Sequence, residues 1–188
     1  MIAAIIEIGE IGGALASEVK TRSGASPMSC LQCLKCSSGC PVASRADLKP
    51  HELVRLVQMD QREVVLASRF IWECTSCQTC ITRCPQQVDI AAMNDALRAM
   101  SRAAGKVAPE TTVPVFNAVF LSSVRNRGRV HELGLMASYK LRTGRLLEDA
   151  DKAPMMFSKG KLPLLGPRVP GRDQRQEMFR RATEGGDK

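Results

Sequence analysis

Eight cysteines, set out in two copies of one spacing, are the residues of this sequence best suited to do chemistry. Cys30-x2-Cys33-x2-Cys36-x3-Cys40 runs into Pro41, Cys74-x2-Cys77-x2-Cys80-x3-Cys84 runs into Pro85, and no cysteine lies outside the two runs. Thiolates this closely spaced ligate either zinc or iron–sulfur clusters. Two CxxC pairs can make a tetrahedral zinc site of four cysteines, but zinc modules usually part their pairs with a longer loop. They have no use for three cysteines at successive two-residue gaps, then a fourth and a proline, twice over. A secreted disulfide framework is disfavoured too, because the apolar stretch Met1–Ala16 carries Glu7 and Glu10 and lacks a basic leader. No run reaches the ~18 apolar residues that span a bilayer. The expectation is a reducing cytoplasm, where grouped thiols hold metal.

The spacing resembles the bacterial ferredoxin run, in which three thiolates wrap one cubane and the fourth reaches the other cluster. Carried over, the resemblance implies one [4Fe–4S] cluster on Cys30, Cys33, Cys36 and Cys84, and a second on Cys74, Cys77, Cys80 and Cys40. Eight thiolates would then serve every iron and leave none open for a substrate. The CxxxCxxC spacing of radical enzymes is absent, and Gly9, Gly12 and Gly13 match neither a dinucleotide fingerprint nor a P-loop. Electrons would have to arrive from one protein and leave to another, without catalysis on this chain.

The elements that position the cysteines read as helices. Between the runs, Leu53, Leu56 and Val57, then Val64 and Val65, keep helical spacing, with Asp60 and Gln61 interrupting them. Pro50 suits a first helical turn. After the second run Asp89 can cap a helix whose stripe is Ile90, Met93, Leu97 and Met100. Further helices are expected over Val113–Val124 (Phe116, Val119, Phe120) and Glu132–Arg142 (Leu133, Met136, Leu141), stopped by Gly128 and Gly144. The fold class is therefore all-α: an α-helical ferredoxin domain over 27–105, an N-terminal docking segment over 1–26, a helical extension over 106–153 and an extended basic tail over 154–188. Pro154, Pro163, Pro167 and Pro170 mark that tail.

With runs and helices in place, the sequence is similar to the C subunit of heterodisulfide reductase, the HdrC family. The similarity rests on CLQCLKCSSGCP, on WECTSCQTCITRCPQQVDI with the helix through LRAM, and on FLSSVRNRGRVHELGLMASYKLRTG, which looks like the bacterial branch. The family implies a hetero-oligomer in which an HdrA-like flavin subunit exchanges electrons, through this chain, with an HdrB-like catalytic subunit. The alternatives are a freestanding dicluster ferredoxin and a zinc-stabilised nucleic-acid-binding module.

Charge bears on those alternatives. Residues 1–100 hold ten Lys/Arg and ten Asp/Glu, whereas residues 101–188 hold seventeen against nine, the whole of the net +8. One Trp, one Tyr and five Phe offer little for base stacking, so a basic face for a neighbouring subunit is expected instead of a nucleic-acid site. Lys35 and Arg83, inside the runs, are candidates for raising cluster potentials. Trp72 is expected to shield a cluster. His51 and His131 each precede Glu-Leu without forming HExxH, and are expected as surface or capping residues.

Overall fold

The computed structural model describes residues 13–107, 112–145, 155 and 169–185, and every regular element among them is helical. The chain divides into two units, Met1–Thr111 and Thr112–Lys188.

In the first unit, α1 (Ala14–Ser23) leads through a 3-10 turn (Pro27–Ser29) to the first cysteine run, which contains α2 (Lys35–Ser38). Three helices connect the runs: α3 (Pro50–Gln58), α4 (Arg62–Ala67) and α5 (Phe70–Glu73). The second run contains α6 (Thr79–Arg83), and α7 (Ile90–Ala103) follows it. Helix α7 is the spine, packed against α1, α4, α5 and α6. Its stripe of Ile90, Met93, Leu97 and Met100 is buried with Leu15, Val19, Val65, Leu66 and Phe70. Each large apolar side chain so buried stabilises the fold by about 1.5–3 kcal/mol. The Asp89 carboxylate starts α7 by accepting from Ala92 N at 2.9 Å, and Pro50 opens α3 while Glu52 accepts from Lys49 N at 2.8 Å.

Two expectations change here. Residues 14–23, expected as part of an extended N-terminal segment, form a helix whose Leu15, Ala16 and Val19 enter the core; residues 1–12 lie outside the described residues. The reason is long-range. Asp60, at the α3–α4 corner, accepts from Leu15 N at 2.7 Å and so caps α1. Gly13 permits that approach, since a Cβ there would lie 2.8 Å from the Asp60 carboxylate. Glu18 is held below the usual carboxylate range by its hydrogen bond to Arg62, which overcomes the opposing effect of burial. The second change is Val64, which is 47% exposed; Leu66 takes the core position instead.

The second unit comprises α8 (Val113–Arg127), α9 (Glu132–Thr143) and α10 (Arg172–Gly185). Helix α8 packs against both α9 and α10. Gly128 and Gly144 end α8 and α9 at φ of 84° and 70°, a region that costs glycine nothing. His131 is buried and caps α9, its Nδ1 accepting from Gly134 N at 3.2 Å. Phe116 meets Tyr139 edge-on at 5.9 Å between centroids. Of the expected apolar positions Val119 is buried, but Phe116 is 42% and Leu141 70% exposed. Within the tail, expected as extended over 154–188, residues 172–185 are helical; apart from Met155, residues 154–168 lie outside the described residues.

Candidate iron–sulfur centres

Both cysteine runs adopt the same backbone path. Gln32 and Leu34, on either side of Cys33, have φ of 55° and 65°, and Ser76 and Gln78, on either side of Cys77, have φ of 51° and 59°. Left-handed residues alternating with ordinary ones curl a loop so that its N–H groups and side chains face one concavity, the kind of nest that receives anionic Fe–S groups. Such conformations cost non-glycine residues of order 1–3 kcal/mol each, and they persist where function needs the shape. The loops pass directly into α2 and α6, which pack against each other and bring the runs together.

The eight thiols border two separate pockets. One is lined by Cys30, Cys33, Cys36 and Cys84, and the other by Cys40, Cys74, Cys77 and Cys80 together with Cys36, which borders both. Each pocket thus takes three cysteines from one run and draws at least one from the other, Cys84 in the first and Cys40 with Cys36 in the second. Ile90, at the start of α7, walls both; Val42, Pro50 and Phe70 complete the second, and Val88 adds to the first. Among the described residues no three His, Cys, Asp or Glu side chains converge on a point that one metal ion would occupy. Burial pushes the Cys36 and Cys80 thiols up, while the Thr79 hydroxyl beside exposed Cys77 draws that thiol down. Burial thus favours the neutral thiol at Cys36 and Cys80, and a positive charge bound beside either sulfur would favour its thiolate.

Hydrogen bonds reach the sulfurs from several directions. Gln32 donates to Cys30 Sγ from both its backbone N and its Nε2, at 3.5 Å each, and Val88 N donates to Cys84 Sγ at 3.4 Å. Thr79 Oγ1 lies 3.4 Å from Cys77 Sγ. Ser37 Oγ sits 3.9 Å from Cys36 Sγ and 2.7 Å from His51 Nδ1. His51, expected only at the surface or as a cap, is therefore part of the wall of the first pocket and 20% exposed. No local sequence signal marks it, because its partner is Ser37 in the preceding run.

Three further residues position the loops. Asp47 accepts from Arg69 N and Phe70 N at 2.7 and 2.8 Å, capping the helix that delivers Cys74. Arg98 on α7 donates to Ile71 O at 2.5 Å and Cys74 O at 2.7 Å. Gln58 donates to Pro27 O at 2.9 Å, anchoring the turn before Cys30. Of the residues singled out in the runs, Lys35 borders the first pocket and Arg83 lies across Gly39. Trp72 borders neither pocket; it is core, with the Arg102 guanidinium 5.2 Å from its ring. Phe70, two residues earlier, provides the aromatic wall expected of it.

Comparison with known proteins agrees with this geometry. The 4Fe–4S dicluster domain family matches residues 29–89, the stretch that holds all eight cysteines. The C subunit of the H2:CoB-CoM heterodisulfide,ferredoxin reductase of Methanothermobacter marburgensis is 29% identical over 105 residues, 56% of this chain and 57% of that one. The iron-sulfur C subunit of the CoB–CoM heterodisulfide reductase of Methanopyrus kandleri is 35% identical over 81 residues, 43% of this chain and 41% of that one. The similarity spans 57% and 41% of the lengths of these two relatives, and they are archaeal, so it does not speak for the bacterial branch. Two sets of four thiols in paired concave loops fit the cofactors of that domain, two [4Fe–4S] clusters. The chain is an iron–sulfur protein that carries a 4Fe–4S dicluster domain at residues 29–89, and it is similar over that region to the C subunits of heterodisulfide reductases.

Proposed function

We propose that this chain is the electron-relay subunit of a heterodisulfide-reductase-like complex. In this reading Cys30, Cys33, Cys36 and Cys84 hold one cluster, and Cys74, Cys77, Cys80 and Cys40 hold the other. The observation that carries it is the exchange of fourth cysteines between the two pockets. When bound, such clusters supply one-electron redox chemistry at potentials set by burial and hydrogen bonds to sulfur. The chain's own residues fix the thiols in two curled loops, exclude water with Ile90, Phe70 and Val42, and donate to sulfur from Gln32 and Val88. With every iron supplied by a cysteine, no position is open for substrate, and the chemistry belongs to neighbouring subunits.

Electrons pass in this reading between an HdrA-like flavin subunit and an HdrB-like catalytic subunit, in a reducing cytoplasm that preserves thiolate ligands. No described helix is long and apolar enough to cross a membrane. The basic second half, with Phe116, Phe120 and Leu121 exposed on α8, serves as the docking face for a neighbouring subunit.

Serine variants test the crossing. By EPR of the dithionite-reduced protein, Cys40→Ser should alter the same signal as Cys77→Ser, and Cys84→Ser the same signal as Cys33→Ser. Pairing of Cys40→Ser with Cys33→Ser would refute the crossed ligand sets.

A further inference from the structure

We propose that the cleft between α8 and α9 is a binding site for a phosphate group. It is lined by the guanidinium-bearing Arg127 and Arg142, by Ser122, Ser123 and Ser138, and by Asn126, over a floor that includes buried Val119 and His131. No carboxylate lines it. Two permanently charged arginines facing one cleft repel each other until an anion sits between them. Neither side chain forms an ion pair or hydrogen bond among the described residues.

The hydroxyls are set to donate. Ser122 Oγ accepts from Asn126 Nδ2 at 3.4 Å, and Ser123 Oγ accepts from His131 N at 3.3 Å. Each therefore uses a lone pair within the protein and keeps its O–H for a ligand. Arginine forks and hydroxyl donors together match the several acceptor oxygens of a tetrahedral oxyanion, and guanidinium favours phosphate through paired N–H donation. Size narrows the class. The cavity is about 180 Å³, below the ~300–1,000 Å³ of sites that enclose a whole small molecule. It suits a phosphate group, either free or at the end of an ester whose remainder lies outside. A pair of helices packed only for stability would place apolar residues here; this pair places three serines and two arginines. The cleft lies wholly within the second unit, so the site does not depend on the relay reading of the first.

The test is calorimetric titration of the full-length, cluster-loaded chain at constant ionic strength. Inorganic phosphate should bind saturably, and chloride should not. Arg127→Gln and Arg142→Gln should each weaken phosphate binding by roughly tenfold or more, while Arg125→Gln, on the same helix but outside the cleft, should not. Far-ultraviolet circular dichroism and cluster absorbance report that each variant is folded. Glycerol phosphate binding more tightly than inorganic phosphate would assign the site to an ester, and equal binding would assign it to the free ion. Phosphate binding unchanged in both cleft variants, or acetate binding as tightly as phosphate, would overturn the proposal; the latter would make the cleft a seat for a protein carboxylate.

Discussion

The guanidinium of Arg83 lies across Gly39, so that a Cβ at residue 39 would come within 3.1 Å of both its Cδ and its Cζ. The two residues hold the same place in the two runs, each immediately before a fourth cysteine, Cys40 or Cys84. One run thus forgoes a side chain where the other supplies a positive charge, and Arg83 reaches from its own run to the residue that precedes Cys40 in the other.

Arg83→Gln should therefore lower the potentials of both clusters, because a nearby cation favours the more negative, reduced state. Gly39→Ala should act in the same direction by displacing the guanidinium. The Gly39 backbone φ of −108° accepts alanine and the arginine is flexible, so its stability cost should stay under about 1 kcal/mol. In a redox titration the double variant should match Arg83→Gln alone, as coupled neighbours do. No shift in Arg83→Gln would show that the charge is not felt, and additive shifts would show that Gly39→Ala acts by a route other than the guanidinium.

Gln32 offers a selective probe. Gln32→Gly removes the Nε2 donor to Cys30 Sγ and keeps the left-handed backbone that position requires. A hydrogen bond that strengthens by about 1 kcal/mol on reduction raises a one-electron potential by roughly 40 mV. The potential of the Cys30 cluster should fall by about that amount while the Cys74 cluster holds. Potentiometric EPR, following the two signals separately, is the check.

Asp47 gives a pH signature. Burial raises its pKa, but donation from Arg69 N, Phe70 N, the Ser68 hydroxyl and Leu48 N outweighs this and holds it below the ordinary 3.8. A carboxyl with a depressed folded pKa contributes stability that is full above the unfolded value and is lost as pH falls through the folded one. Asp47→Asn should destabilise the first unit by about 1 kcal/mol near neutrality, as loss of a helix cap does. That difference should shrink as pH drops below 3.8. Denaturant unfolding followed by helicity at several pH values measures it.

Local signals read correctly from the sequence, and long-range ones did not. The α7 stripe and its Asp89 cap depend on residues within four positions of each other, as do the two cysteine runs and the αL stops at Gly128 and Gly144. The helical character of residues 14–23 depends instead on Asp60, forty-five positions from Leu15. The exchange of Trp72 for Phe70 as the aromatic wall follows from the short helix α5, whose start is set by Asp47, twenty-three positions from Phe70. His51 enters the site through Ser37. Periodicity also misplaced Val64, because the turn at Met59–Gln61 resets the helical phase and brings Leu66 inward. In the second unit the helices were legible but the apolar positions Phe116 and Leu141 stay exposed, since spacing says which residues share a face and not what covers it.

Iron and acid-labile sulfide per chain, on protein purified without oxygen and followed by EPR after dithionite reduction, test the central claim most directly. Two clusters on the eight cysteines predict about eight irons and about eight sulfides per chain, with the interacting signals of two neighbouring spins. Zinc without sulfide, or a single cluster with four free thiols, would contradict it.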